Sequence, residues 1–152
     1  MSPEAMLRAV EMVLLKLIPD PTPPMTKCAP IRELIYRLSS TSKTTLFTLI
    51  STLQYVYRFS IRRRDNSCLA KKYSGLRDPR RIFLAALLIS HKFRYDHTYS
   101  NLAWSKLTHL STREINALER AFLESIDYQL YISEPEEIAF MAWFHSFLHQ
   151  SA

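Results

Sequence analysis

Apolar residues recur along most of this chain at three- and four-residue intervals, the period of an α-helix with one face turned inward, and nowhere convincingly at the two-residue interval of a strand. Met6, Val10, Val13, Leu14 and Leu17 make the first stripe. Ser2 before Pro3 supplies its start, because the hydroxyl accepts a free backbone N–H and proline has none to lose. The Pro21, Pro23, Pro24 cluster cannot continue a helix, so residues 19–28 are expected to form a stiff connector. The spacing predicts a second helix over about 30–39, carrying Ile31, Leu34, Ile35 and Leu38, then a break and new cap at Ser39 to Ser42. A third helix over about 43–60 places Leu46, Leu49, Ile50, Leu53, Val56 and Phe59 on one stripe. Residues 61–77 hold a basic cluster, Gly75 and no sustained period, and are expected to be a surface loop.

The next segment breaks the amphipathic rule. Asp78 and Pro79 are a cap and a first helical residue, and the helix they open, about 79–93, is apolar all round from Ile82 to Ile89. Only a helix enclosed by others can carry that pattern in a water-soluble domain, so this one is expected at the centre of a bundle. A short helix over about 100–108 follows, centred on Leu102, Ala103, Trp104 and Leu107. Ser111 to Glu114 is a capping box, in which serine and glutamate satisfy each other's backbone donors, and Ile115, Leu118, Phe122 and Ile126 continue at helical spacing. A second box, Ser133 to Glu136 with Pro135 in the first turn, opens a last helix with Ile138, Met141, Ala142, Phe144 and Leu148. The pattern gives about seven helices, no convincing strand and no internal repeat.

Composition supports this reading. The 152 residues are 47% hydrophobic and 22% charged, the balance of an ordinary globular domain large enough to bury a core. A single glycine leaves almost no residue suited to tight hairpins. Cys28 and Cys68 form neither a CxxC nor a dense framework, as suits a reducing compartment. No apolar run approaches the roughly 20 residues of a membrane span, and Glu4, Arg8, Glu11 and Lys16 interrupt any leader-like stretch, so the expectation is an intracellular protein, in nucleus and cytoplasm. The net charge of +6 is concentrated: nine Lys/Arg from Arg58 to Arg81 face only Asp65 and Asp78.

The segment Arg81 to Phe93, followed by Asp96, resembles the central helix of the cyclin box, where a run of small and large apolar residues ends in a lysine, an aromatic and a nearby acid. Downstream, Tyr99, Ser100, Asn101, Trp104, Ile115, Asn116, Leu118, Glu119, Phe122, Leu123, Tyr128, Leu130 and Tyr131 are similar to the fungal Pcl-type cyclins. The resemblance covers residues 29–132 and is strongest from Arg80 to Ile132. It implies an all-α fold: a cyclin-box helical bundle over 29–132, with an additional N-terminal helix and connector over 1–28 and a C-terminal helix over 133–152.

The resemblance further implies a non-catalytic regulatory subunit that binds and activates a cyclin-dependent protein kinase, of the multifunctional fungal type used by Pcl proteins, by holding its regulatory helix in the active position. In the family, a lysine ending the central helix and a glutamate in the last cyclin-box helix reach kinase backbone groups; the matching positions are Lys92 and Glu119. Phe93 and Tyr95 are the other candidate kinase contacts, whereas Phe83 and Leu87 are read as core. The ordinary explanation of a lysine at a helix C-terminus is complementarity to the helix dipole, worth only about 0.3–1 kcal/mol. Tyr57 stands where family members often carry an acid before Arg58, which puts an internal salt bridge common in the family in doubt.

Other chemistry is sparse. His91, His97, His109, His145 and His149 fit no metal spacing, and no phosphate cradle or nucleophile elbow is present. No cofactor, metal, catalytic residue or small-molecule ligand is expected. The rival reading is a cyclin-fold DNA-binding module of a general transcription factor. It requires cations spread over a groove-facing surface, and here they sit in one segment, read as solvated, so nucleic acid is disfavoured as a partner.

Overall fold

Where the periodicity is helical, the computed structural model is helical: α1 (Pro3–Leu17), α2 (Ile31–Thr41), α3 (Leu46–Asp65), α4 (Pro79–Arg94), α5 (Asn101–Thr108), α6 (Thr112–Ser125) and α7 (Glu134–Gln150). The structure describes residues 3–19, 31–65, 76–94 and 98–150. Ser2, the proline connector from residue 20, both cysteines, Lys71, Lys72, Gly75, Tyr95, Asp96 and His97 lie outside the described residues. Among those described there is no strand, and the fold is all-α.

The helix that is apolar all round is the central one. Every residue of α4 from Ile82 to His91 is buried. It packs most extensively on α3 and α6 and also touches α1 and α2. The buried apolar side chains form a single cluster running from Ala9 on α1 to Phe147 on α7, and Phe59 of α3 stacks on Phe122 of α6 at 5.4 Å between ring centroids.

Helix starts follow local chemistry. Asp78 Oδ1 accepts from the Arg80 backbone N–H and from Arg80 Nε, both at 3.0 Å. Ser100 accepts from the Ala103 N–H at the start of α5. At α6 both arms of the capping box are made, Glu114 N–H to Ser111 Oγ at 3.1 Å and Ser111 N–H to Glu114 Oε2 at 2.8 Å. Those Ser111 hydrogen bonds hold the Glu114 carboxyl below the usual carboxylate range.

Three expectations are corrected. Helix α2 runs through the predicted break to Thr41, where Thr41 and Ser42 turn their hydroxyls back to the Arg37 and Leu38 carbonyls; the chain then reverses at Lys43, φ 53°. Thr45, whose Oγ1 accepts from the Thr48 N–H, is the cap of α3. Helix α3 continues to Asp65, so residues 61–65 are not loop. Three arginines in its last turn complement the dipole, and Arg62 Nε donates to the Ser125 carbonyl at the end of α6. On α7 the buried residues are Phe144 and Phe147, while Ile138 is 62% exposed. A run of seven apolar residues, 138–144, has no periodicity from which a buried face can be chosen.

Between α6 and α7 the chain turns through Asp127 and Tyr128, both at positive φ, and crosses α3. There Tyr55 Oη donates to the Leu130 carbonyl at 2.7 Å, and Arg58 donates to the carbonyls of Gln129 and Tyr131. Arg58 also pairs with Glu136 on α7 at 2.8 Å. Arg58 thus finds its carboxylate on another helix. Burial pushes the Tyr55 hydroxyl up to about 12, so it remains a donor throughout the accessible pH range.

Arg58→Ala is expected to destabilise the domain by about 2–3 kcal/mol, because it removes charge-assisted bonds to three acceptors. Arg58→Lys should recover less than half, since one ammonium cannot span the same fork. Urea unfolding measures both. A loss below about 0.5 kcal/mol for the alanine variant would mean that Arg58 is a solvated side chain.

Candidate functional site

The C-terminal end of α4 and the exposed side of α6 meet at Lys92 and Glu119. Lys92 Nζ donates to Glu119 Oε1 at 2.9 Å and to Oε2 at 3.0 Å. The lysine side chain is 35% exposed and the carboxylate 18%. Helix α4 delivers Lys92 to this rim because it is buried up to His91 and emerges one residue later. On α6 the core residues Ile115, Leu118 and Phe122 are buried, and Glu119 lies at the border of that face.

An asparagine at the start of α5 orients the carboxylate. Asn101, the first residue of α5, donates from Nδ2 to Glu119 Oε2 at 3.0 Å and to Asn116 Oδ1. Beside this network is a depression of about 270 Å³ lined by Asn116, Glu119, Arg120, Leu123 and Tyr128. Phe93, next along α4, is 55% exposed. Of the four candidate residues, Lys92 and Glu119 are in direct contact, Phe93 projects from the same helix end, and Tyr95 lies outside the described residues. Asn101 and Asn116 belong to the stretch that carries the sequence resemblance, and the structure adds them to the site. Their polarity within a helical pattern was the available signal.

Beneath the rim, His91 is buried. Its Nε2 lies 3.0 Å from Thr44 Oγ1, and its ring meets Trp104 and Tyr99 edge to face at 5.6 and 6.4 Å. Burial pushes the imidazole below its ordinary 6.5. The unfolded chain therefore takes up a proton at this residue before the folded one does, and stability falls as pH drops below that value. His91→Gln, neutral throughout, should flatten this part of the pH profile in denaturant unfolding, and an unchanged slope in the variant would assign the effect to other groups.

The arrangement has the chemistry of a binding surface. The ammonium offers donors, the carboxylate offers acceptors, and both are held by neighbours at a partly desolvated border, where they can meet backbone C=O and N–H groups of a partner. Phe83 and Leu87 are fully buried core residues. Among the described residues no group of three or more His, Cys, Asp or Glu could hold a metal ion, and no helix is long and apolar enough to cross a membrane. Several cations of the basic segment serve the fold: Arg58 and Arg62 bind backbone carbonyls, and Arg80 is buried in its pair with Asp78.

Comparison with known proteins agrees with this architecture. The family model described as Cyclin matches residues 26–130. The G1/S-specific cyclin pas1 of Schizosaccharomyces pombe is 34% identical over 113 residues, 74% of this chain and 26% of that protein. PHO85 cyclin-2 of Saccharomyces cerevisiae is 31% identical over 127 residues, 82% of this chain and 37% of that protein. PHO85 cyclin-5 of the same yeast is 39% identical over 64 residues, 42% of this chain and 27% of that protein. The chain thus spans between about a quarter and somewhat over a third of the length of these relatives. No solved structure matches significantly. An enclosed central helix, a lysine and glutamate joined at its end, and a family match over most of the chain have one reading: the chain belongs to the cyclin family, with similarity to the fungal PHO85 cyclins.

Proposed function

We infer that this chain is a non-catalytic regulatory subunit that binds a cyclin-dependent protein kinase, of the kind bound by the Pcl-type fungal cyclins, and activates it. The observation that carries the reading is the Lys92–Glu119 pair, fixed by Asn101 beside exposed Phe93 at the end of the buried helix. In active kinases the regulatory helix brings its glutamate to the ATP-binding lysine. A rigid bundle that grips this helix only in that position shifts the kinase population toward the active state. Moving that equilibrium from 1:99 to 99:1 takes about 5.5 kcal/mol of differential binding. Apolar neighbours such as Phe93 supply affinity, and the two charged residues set orientation.

Reconstitution tests the reading. The chain is mixed with a purified kinase of the PHO85 type, and both complex formation and peptide phosphorylation are measured. A complex with raised kinase activity is the expected result. No complex at micromolar concentrations would remove the inference, and a complex without stimulation would keep the binding while removing the activation.

A further inference from the structure

Helices α3 and α4 run antiparallel, and side chains fix their register at one end. Arg94 donates to Ser51 Oγ at 2.7 Å, and Thr52 Oγ1 lies 3.1 Å from Ser90 Oγ. At a rise of about 1.5 Å per residue on both helices, equal steps forward from Thr52 and back from Ser90 bring Arg63 level with Pro79. The last turn of α3, with its three arginines, therefore meets the start of α4, where Arg77, Arg80 and Arg81 lie.

Some of these cations are engaged within the fold. Arg62 Nε donates to the Ser125 carbonyl at 2.7 Å, Arg80 is buried in its pair with Asp78, and Arg81 lies within reach of the Glu114 charge. Arg63 and Arg77 are different: among the described residues neither is paired with a carboxylate. Their charges act on each other instead. Partial burial, and after it the neighbouring charge of Arg77, push the Arg63 guanidinium below its ordinary value. Both side chains spring from anchored backbone, since Arg63 follows the tethered Arg62 and Arg77 sits between Leu76 and Asp78, each 2% exposed. Both can be reached from solvent, Arg77 being exposed and Arg63 half-buried. Two guanidiniums held together with no acid between them are a site for an anion from outside the chain.

We propose that Arg63 and Arg77 together bind the phosphate of a phosphorylated serine or threonine on a partner protein, with exposed Arg64 meeting an acidic residue beside it. A phosphomonoester carries about −1.5 to −2 charges at pH 7 and three acceptor oxygens, which suit two planar forks. A carboxylate brings one charge and two oxygens. A nucleic-acid phosphodiester also brings one charge, and its backbone asks for a stripe of cations, whereas Arg58, Arg62 and Arg80 are occupied inside the fold. Because Arg64 and Arg77 are exposed, the site lies open at the surface. A phosphate borne on a chain gains the flanking contact with Arg64 that a free phosphate lacks. The site shares no residue with the Lys92–Glu119 network, so the proposal stands whether or not the chain activates a kinase.

The test is an NMR titration of the isotope-labelled full chain with acetyl-Ala-phosphoserine-Glu-Ala-amide, the same peptide with serine, inorganic phosphate, and a short DNA duplex as competitor. The phosphopeptide is expected to give saturable shifts at the Nε–H groups of Arg63 and Arg77, and to bind at least about tenfold more tightly than the serine peptide or inorganic phosphate. Arg63→Gln and Arg77→Gln should each weaken it by about tenfold or more. Neither variant should melt at a lower temperature, because each relieves its neighbour of a like charge. Absence of saturable shifts at millimolar phosphopeptide, equal affinity for the serine peptide, equal affinity for inorganic phosphate, displacement of the phosphopeptide by the duplex at physiological salt, or undiminished binding by either variant would each overturn the proposal.

Discussion

Leu87→Asp is expected to leave no folded protein at room temperature. Leu87 is fully buried at the middle of α4, the helix enclosed by α3, α6, α1 and α2. The substitution removes roughly 2–3 kcal/mol of apolar transfer energy and places a carboxylate, charged or forced neutral, where it costs several kcal/mol more. Set against a total stability of roughly 5–15 kcal/mol, that leaves little or nothing. The control is Phe93→Asp, six residues further along the same helix and largely exposed, which should cost less than about 1 kcal/mol. Far-ultraviolet circular dichroism and thermal melting distinguish the two. A Leu87→Asp chain that melts cooperatively near the native temperature would show that α4 is not the enclosed element.

Lys92→Ala and Glu119→Ala should each weaken kinase binding by about 2–5 kcal/mol, from roughly thirty-fold to several thousand-fold, once the partner covers the pair and strands the remaining charge. In the free chain the same pair is partly solvated, and its loss should alter folding stability by no more than about 1 kcal/mol. Glu119→Ala should be the more severe, because it also deprives Asn101 of an acceptor. The double variant should lose less than the sum, as residues of one network do. Calorimetric titration of each variant against the kinase, beside denaturant unfolding of each alone, separates a binding role from a structural one. Affinities within twofold of the native value for both single variants would exclude the pair from the interface.

Much of the fold was legible because the relevant forces are local. Asp78–Pro79, Ser100 and Ser111–Glu114 mark helix starts through bonds spanning two or three residues, and the run from Ile82 to Ile89 can be stable only where neighbours surround it. What the local pattern missed depends on distant partners. Arg62 reads as a solvated cation until the end of α6 arrives 63 residues later to offer a carbonyl, and Arg58 waits 78 residues for Glu136. The face of α7 could not be phased because its apolar run has no polar side. Lys92 and Glu119 are named by family resemblance, but their juxtaposition, 27 residues apart on two helices, is a finding of the structure. No local periodicity encodes it, and Asn101 shows its part only in three dimensions.

The connection from α6 to α7 is gripped at three successive carbonyls, while Tyr131 points 75% into solvent. A grip on peptide oxygens is indifferent to the side chains passing through it but sensitive to their count. Gln129 and Tyr131, whose side chains are exposed, should accept wide variation in residue identity, yet a one-residue insertion or deletion would put every oxygen out of step and cast the last helix adrift from the bundle.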